Sequence, residues 1–235
     1  MKVLAITVPL AYTIMSVLGV SIYLVGDSTM AAQLPSSGME GWGVPFQRYL
    51  TGVTLVNKAR SGRSARSYWR ERRWAEVQSL LRKGDYVIIS FGHNDGAPGT
   101  PLTNDRLPVG GEGSDTIRNG TVETVYTWPT YIKWMIDGAR SKGANPIISS
   151  RTANNPYGRS NFTSVSYNPN RVYMLGKDTT QSFFPFENTH TNAQAGANAV
   201  AQAFLSALRC PSAKGVLRSY INSAGQKFPA RCTRP

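Results

Sequence analysis

The stretch of this chain with the clearest potential for chemistry is a serine in a tight turn, Ser28 within Gly26-Asp27-Ser28-Thr29. The apolar run Ser21–Val25 precedes the turn and is typical of a buried β-strand. In open parallel sheets, reactive groups lie beyond the carboxyl ends of the strands, and a glycine lets the chain turn sharply there. A serine so placed can be both exposed and rigidly held. Because these residue types also dominate ordinary turns, Ser28 becomes a candidate nucleophile only if the chain supplies partners for it.

A serine nucleophile needs a general base and a group that orients this base. The chain has two histidines, His93 and His190, and Glu187 precedes His190 by three residues. Across one turn, this spacing allows the carboxylate to reach the imidazole. We therefore predict a catalytic triad of Ser28, His190 and Glu187, with His93 as the second choice for the base. Taken singly, each histidine could be a surface or packing residue, and Glu187 a solvated charge.

Acyl transfer also needs hydrogen-bond donors for the oxyanion that develops on the carbonyl oxygen. Gly62 and Asn94 lie in polar turns that follow the next two apolar runs. We predict an oxyanion hole formed by the backbone N–H groups of Ser28 and Gly62 and by the Asn94 side-chain amide. His93 and Asp27 are predicted to contact the substrate. Taken alone, Gly62 could be turn punctuation, and Asn94 could cap its own turn.

Strands and helices alternate along the chain, which predicts an α/β fold with a parallel sheet of right-handed βαβ units. Beyond the strand before Ser28, apolar runs predict strands at 53–56, 86–91 and 146–150. Helices are expected at about 42–50, 68–82, 129–142 and 193–208. Because parallel strands present their carboxyl ends at one edge, the three polar turns are expected to converge there.

Two connections differ from simple turns. The Gly- and Pro-rich segment after Asp95 continues for about two dozen residues to Gly120, and we predict that it forms a wall of the substrate site. The segment Arg151–Phe186 is rich in Asn, Ser and Tyr and has no clear helical period, although 171–175 could form a short strand. One helix–strand unit before the final helix is therefore expected to be missing or reduced.

The chain is strongly basic. Its 235 residues include 26 Lys and Arg against 13 Asp and Glu, a formal net charge of +13, and nine of the positive charges lie between Lys58 and Lys83. Such a surface favours an anionic partner, which could be nucleic acid, an acidic membrane surface or an acidic polysaccharide. We do not expect nucleic acid, because no binding motif is present and the arginines of the helix at 68–82 are expected to lie on its solvent face.

The N-terminus predicts export. A single Lys2 is followed by uncharged residues, of which 3–19 have the length of a signal-peptide core. Residues from about Val20 onward are needed for the first strand, so the remaining run is too short for a membrane span. We expect a signal peptide at 1–19 and a single domain at 20–235 in a secreted monomer without a stable membrane span, with an uncleaved anchor as the alternative.

Export would also explain features near the end of the chain and in its loops. The two cysteines, Cys210 and Cys232, follow the last expected helix, and in an oxidising compartment we expect them to form a disulfide. Asn119 and Asn161 lie in Asn-X-Thr sequons, which are candidate sites of N-glycosylation in an exported eukaryotic chain.

Taken together, these motifs resemble a known family. Gly26-Asp27-Ser28, Gly62 within its Ser- and Arg-rich turn, Gly92-His93-Asn94-Asp95 and His190 are similar to the four signature blocks of SGNH (GDSL-type) hydrolases. More narrowly, the stretches GDSTM, GRSARSY, FGHND and THT, with the two cysteines near the end, resemble the fungal rhamnogalacturonan acetylesterases. The resemblance extends over nearly the whole chain from about Ile22.

The resemblance implies a flavodoxin-like three-layer α/β/α sandwich and ester hydrolysis without metal or cofactor. It implies Ser28 as nucleophile, His190 as base, and Ser28, Gly62 and Asn94 around the oxyanion. The implied substrate is acetylated, galacturonate-containing pectin. The chain departs from the family at Glu187, where the family has Asp, and in the short segment Arg151–Phe186. The alternatives are a broader short-acyl esterase and a non-catalytic relative that binds acidic polysaccharide.

Overall fold

The central sheet of the computed structural model, which describes residues 19–113, 115–119, 123–155, 177–213 and 216–230, consists of parallel strands. The strands of the described residues are β1 (Ser21–Gly26), β2 (Thr54–Asn57), β3 (Tyr86–Ser90), β4 (Thr116–Asn119), β5 (Glu123–Tyr126) and β6 (Asn145–Ile148). Four of them form this sheet in the order β2-β1-β3-β6, and every neighbouring pair is parallel. The parallel sheet predicted from the alternating pattern is therefore confirmed.

Helices and short 3₁₀ turns connect the strands. The helices are α1 (Gly43–Phe46), α2 (Ala65–Arg70), α3 (Arg73–Leu80), α4 (Trp128–Ser141), α5 (Lys177–Ser182), α6 (Gly196–Leu208) and α7 (Ser223–Gln226). The 3₁₀ turns span Pro35–Ser37, Gln47–Tyr49, Pro211–Ala213 and Arg218–Tyr220. Among the described residues, no helix has both the length and the apolar character needed to cross a bilayer.

The sheet is covered by helices on both faces, because successive side chains of a strand point to opposite sides. In β1, Tyr23 and Val25 pack in a core with residues of α2, α3 and α4, whereas Ile22 and Leu24 pack in a second core with residues of α1 and α6. The result is a three-layer α/β/α sandwich. A strand that is buried on both faces reads as a continuous apolar run, which explains why β1 was recognisable in the sequence.

The helix expected at 68–82 is in fact two helices. Arg72 adopts a left-handed conformation with φ of 59°, which ends α2 and lets α3 begin at Arg73. The expected buried face of the second part is present, since Trp74, Val77 and Leu81 are all buried. A single left-handed residue without a glycine gives no signal in an apolar period, so the sequence could not show this break.

The long segment after Asp95 is not a loop throughout. Its last part forms β4, which pairs antiparallel with β5. Of the segment Arg151–Phe186, residues 156–176 lie outside the described residues, and so does the expected strand at 171–175. Residues 1–18, Asn161 and Cys232 also lie outside them, and Asn119 is the last residue of β4.

Candidate active site

Ser28 lies in the turn that follows β1, at the carboxyl edge of the sheet. The carbonyl of Asp27 accepts the N–H groups of Met30 and Ala31 at 3.2 and 3.0 Å, which closes the turn around Ser28. Gly26 allows β1 to approach β3 here, because a Cβ at this position would lie 2.6 Å from the carbonyl oxygen of Ser90. The local sequence therefore holds the Ser28 backbone rigidly.

Asp27 stabilises the same turn from inside. Its carboxylate Oδ1 accepts the Thr29 N–H at 2.9 Å and the Thr29 hydroxyl at 2.8 Å. The Asp27 residue is only 1% exposed, which leaves no surface for a polysaccharide to touch. The predicted substrate contact is therefore not supported at Asp27. This carboxylate positions the turn, a role that the residue types alone could not distinguish from substrate binding.

The three predicted triad residues form one chain of hydrogen bonds. His190 Nε2 lies 2.6 Å from Ser28 Oγ, and His190 Nδ1 lies 2.7 Å from Glu187 Oε1. A carboxylate on Nδ1 holds the imidazole with Nε2 as the acceptor that faces the serine. The structure thus brings together residues that are 162 positions apart in sequence, in the order that proton transfer from a serine requires.

Glu187 is held in place by more than the imidazole. Its Oε1 also accepts the backbone N–H groups of Thr189, at 3.1 Å, and of His190. Partial burial raises the pKa of Glu187, but the bonds from the His190 N–H and the imidazole outweigh burial and hold this pKa below its ordinary value. The longer side chain, where the family has Asp, therefore reaches the histidine and stays ionised beside it.

Two neighbouring segments fix the loop that carries Glu187 and His190. The N–H of Asn155 donates to the Asn188 carbonyl at 2.8 Å, and the N–H of Glu40 donates to the Thr191 carbonyl at 3.0 Å. Asn155 lies in the chain that leaves β6. The loop is therefore tied to the sheet edge on two sides, which limits how far the imidazole can move away from Ser28.

The predicted oxyanion donors lie at the ends of three adjacent strands. Gly62 follows β2 with φ of +77°, and Asn94 follows β3. The Asn94 Nδ2 donates to the Arg63 carbonyl at 3.2 Å, which links the amide to the Gly62 turn. Within the described residues, the N–H groups of Ser28 and Gly62 have no acceptor. All three groups retain an N–H for a reacting carbonyl oxygen.

Replacement of Gly62 by alanine is expected to lower kcat by up to about 10²–10³-fold, the usual loss when one oxyanion donor is misplaced. The left-handed backbone costs an alanine about 1–2 kcal/mol, and relaxation of this strain turns the N–H away. Gly52→Ala is a matched control, since Gly52 also has a positive φ and open space around its Cβ position. Equal kcat values for the two variants would contradict a role of the Gly62 N–H.

His93 is close enough to the triad to interact electrostatically with His190, but among the described hydrogen bonds it has none to Ser28. Its Nε2 lies 2.9 Å from the Thr152 hydroxyl. Burial lowers the pKa of His93. The negative charge of Asp27 opposes this shift of the pKa, and the positive charge of Arg151 adds to it. The geometry favours His190 over His93 as the base. Contact between His93 and the substrate stays a prediction.

Asp95 also lies at this edge of the sheet, and no role was predicted for it from the sequence. Its Oδ1 accepts the Ala65 N–H at 2.8 Å at the start of α2, and its Oδ2 is buried with no hydrogen-bond partner among the described residues. Burial raises the pKa of Asp95 to about 7, with the Asp27 carboxylate adding to the shift. The carboxyl therefore links the turn that carries Asn94 to the start of α2.

This raised pKa predicts a pH-dependent stability. The folded state binds the Asp95 proton more tightly than the unfolded chain, so the stability that protonation supplies is present at low pH and is lost as the pH rises from about 4 to 7. Asp95→Asn, which cannot ionise, should lose less thermal stability between pH 5 and pH 8 than the parent. Asp137→Asn, at an exposed carboxylate, is the control, and parallel profiles for Asp95→Asn and the parent would refute the prediction.

Comparison with known proteins agrees with this geometry. The model of the GDSL-like lipase/acylhydrolase family matches residues 24–209. The chain therefore belongs to this family and is a carboxylic ester hydrolase. A rhamnogalacturonan acetylesterase of Emericella nidulans is 41% identical to it, with 83% of this chain and 87% of the relative covered.

More distant relatives match in part. A probable rhamnogalacturonan acetylesterase of Bacillus subtilis, YesY, is 30% identical over 54% of this chain and 51% of its own length. Among solved structures, protein YXIM of Bacillus subtilis aligns with a TM-score of 0.63 at 20% identity, over 84% of this chain and 58% of that protein. At this identity the structural likeness supports the fold alone.

Proposed function

We propose that this protein removes acetyl groups from rhamnogalacturonan, the galacturonate-containing backbone of pectin. The observation that carries the substrate is the 41% identity, over most of both chains, to a protein named as an acetylesterase of this polysaccharide. The chain of contacts from Glu187 through His190 to Ser28 supports the reaction. In this proposal, Ser28 is the nucleophile, His190 the general base and Glu187 the group that orients it.

The reaction proceeds through an acetyl-enzyme. Ser28 Oγ attacks the acetyl carbonyl carbon as His190 Nε2 takes the hydroxyl proton, and the carbonyl oxygen becomes an oxyanion. The N–H groups of Ser28, Gly62 and Asn94 stabilise this oxyanion. The sugar oxygen then leaves with the proton from His190. Water next attacks the acetyl-Ser28, gives a proton to His190, and acetate departs as Ser28 regains its hydrogen.

The charge of the chain suits an acidic polymer. The large excess of positive charge attracts the galacturonate carboxylates of the polymer, although the salt of a physiological medium screens most of this attraction beyond about 8 Å. A neutral acetylated polysaccharide gains nothing from the same field. Preference for the acidic polymer should therefore weaken as salt is added.

The test is acetate release by the purified chain from acetylated rhamnogalacturonan, compared with acetylated xylan and with p-nitrophenyl acetate. We expect faster release from rhamnogalacturonan than from xylan, with a difference that shrinks at high salt. Equal rates on all three would favour a broad short-acyl esterase. Binding to the acidic polymer with no release from any ester would favour a non-catalytic relative.

We also propose that the enzyme is exported, with residues 1–19 as signal peptide and 20–235 as a single catalytic domain that acts as a monomer. Cys210, two residues after the end of α6, is buried, which supports a disulfide with Cys232, the other cysteine of the chain. Mass spectrometry of the secreted protein, before and after reduction and removal of glycans, would test the mature N-terminus, the disulfide and modification of Asn119 and Asn161.

A further inference from the structure

The Asn94 amide is held at both of its ends. Its Nδ2 donates to the Arg63 carbonyl at 3.2 Å, and its Oδ1 accepts from Arg106 Nη1 at 3.4 Å. A primary amide has two N–H hydrogens, so one remains when the Arg63 carbonyl has taken the other. Because a guanidinium can only donate, the contact with Arg106 also determines which end of the amide is oxygen and which is nitrogen.

Arg106 forms no ion pair within the described part of the chain. Neighbouring arginines form ion pairs, such as Arg63 with Glu71 and Arg70 with Asp105, but no acidic group lies within ion-pair distance of Arg106. The Arg106 residue is partly buried. Its positive charge helps to lower the pKa of the adjacent Asp105, whose own ion pair is with Arg70, and the side-chain hydrogen bond that Arg106 makes goes to the Asn94 amide.

The segment 101–107, which carries Arg106, is held by hydrogen bonds from a buried arginine of α2. Arg66 Nη1, on α2, donates to the carbonyls of Pro101, Asn104 and Leu107 at 2.8, 3.2 and 2.6 Å. The N–H of Arg106 itself donates to Asn104 Oδ1 at 3.0 Å. Anchored carbonyls on both sides of Arg106 limit the motion of its backbone, so its guanidinium is presented to Asn94 from a fixed position.

We propose that Arg106 is a positioning residue for the oxyanion hole. It holds the Asn94 amide with its nitrogen toward the reacting carbonyl, and its charge polarises the amide so that the remaining N–H becomes a stronger donor. Hydrogen bonds to ionised groups are roughly twice as strong as neutral ones, and linked hydrogen bonds strengthen one another. This inference rests on the ester hydrolysis in the proposed function, but not on the identity of the polysaccharide.

A second use of the same cation would be to bind a uronate carboxylate of the substrate. The two uses differ in what they affect. A residue that acts through Asn94 alters kcat for every ester, including a small uncharged one. A carboxylate-binding residue alters KM for the acidic polymer and leaves a small neutral ester unaffected. The direct contact with Asn94 Oδ1 favours the first use.

The experiment is a double-mutant cycle of Arg106→Ala and Asn94→Ala, assayed on p-nitrophenyl acetate and on acetylated rhamnogalacturonan. We expect Arg106→Ala to lower kcat about tenfold on both esters, with KM changed less than twofold, since a weakened donor should cost less than the ~10²–10³ of a lost one. In the Asn94→Ala background it should have no further effect. Arg106→Lys should recover part of the rate, and Arg82→Ala, at a remote exposed arginine, should match the parent.

Each other outcome overturns a distinct statement. An equal loss from Arg106→Ala in both backgrounds would refute action through Asn94. A rise in KM confined to the acidic polymer would assign Arg106 to carboxylate binding instead. Hydrolysis of the aryl ester without acetate release from the polymer would refute the proposed substrate while the cycle still tests Arg106. A folded parent that hydrolyses neither ester would overturn both.

Discussion

Ser28→Ala is expected to reduce kcat for ester hydrolysis by about 10⁵–10⁶-fold, as removal of a serine nucleophile does in enzymes of this mechanism. Without Oγ, no acetyl-enzyme can form, and His190 has no hydroxyl proton to accept. The turn should keep its shape, because the bonds that close it use the Asp27 carbonyl and carboxylate and not the Ser28 hydroxyl. Steady-state rates on p-nitrophenyl acetate, with circular dichroism as the check on folding, test this expectation.

A neighbouring hydroxyl provides the matched control. Ser61 lies in the turn after β2, and its Oγ is 3.2 Å from Gln33 Oε1 rather than from the triad. Ser61→Ala should keep kcat within a few-fold of the parent. Mass spectrometry after a brief reaction should find an acetyl group on the parent and not on Ser28→Ala. Turnover by Ser28→Ala at a rate near that of the parent would remove Ser28 as the nucleophile.

Much of this site could be predicted because its residues lie at the ends of apolar strands. β1 pairs in register with both β2 and β3, so the turns that hold Ser28, Gly62 and Asn94 must emerge side by side. Apolar strands and glycine turns can be recognised from short stretches of sequence. Once the strands are assumed to pair in parallel, their turns must lie at the same edge of the sheet. The pairing of His190 with Ser28 was predicted from the small number of histidines and from the three-residue spacing between Glu187 and His190, and not from strand periodicity.

The parts that could not be predicted depend on contacts distant in sequence. Arg66 precedes the helix expected at 68–82 and was assigned no role, yet its side chain is fully buried and bonds to residues 35 to 57 positions away. The burial of Asp95 and the contact between Arg106 and Asn94 have the same origin. Neither hydrophobic periodicity nor turn-forming residues indicate where an irregular segment packs against the core. The sequence alone therefore could not distinguish these residues from exposed charged residues.

Arg66→Ala is expected to be the most destabilising of the substitutions considered, by about 3–5 kcal/mol, because it leaves the largely buried Glu123 carboxylate with only a distant cation, Arg70 at 3.8 Å. The guanidinium is fully buried and pairs with Glu123, whose carboxylate lies 2.5 Å from Arg66 Nε. The carbonyls of the segment 101–107 would also lose their donor. Since a domain is stable by only about 5–15 kcal/mol, this loss should be large in chemical denaturation.

Arg70→Ala is the control for this prediction, because Arg70 is on the same helix and pairs with the exposed Asp105, and its contact with Glu123 is long, at 3.8 Å. An exposed pair contributes about 0–1 kcal/mol, so this variant should unfold close to the parent. Arg66→Met combined with Glu123→Met should be more stable than Arg66→Ala, since no buried carboxylate is left unpaired. If Arg66→Ala and Arg70→Ala unfold at the same denaturant concentration, the buried pair does not hold the segment 101–107. In that case the fixed position of Arg106 would need another origin.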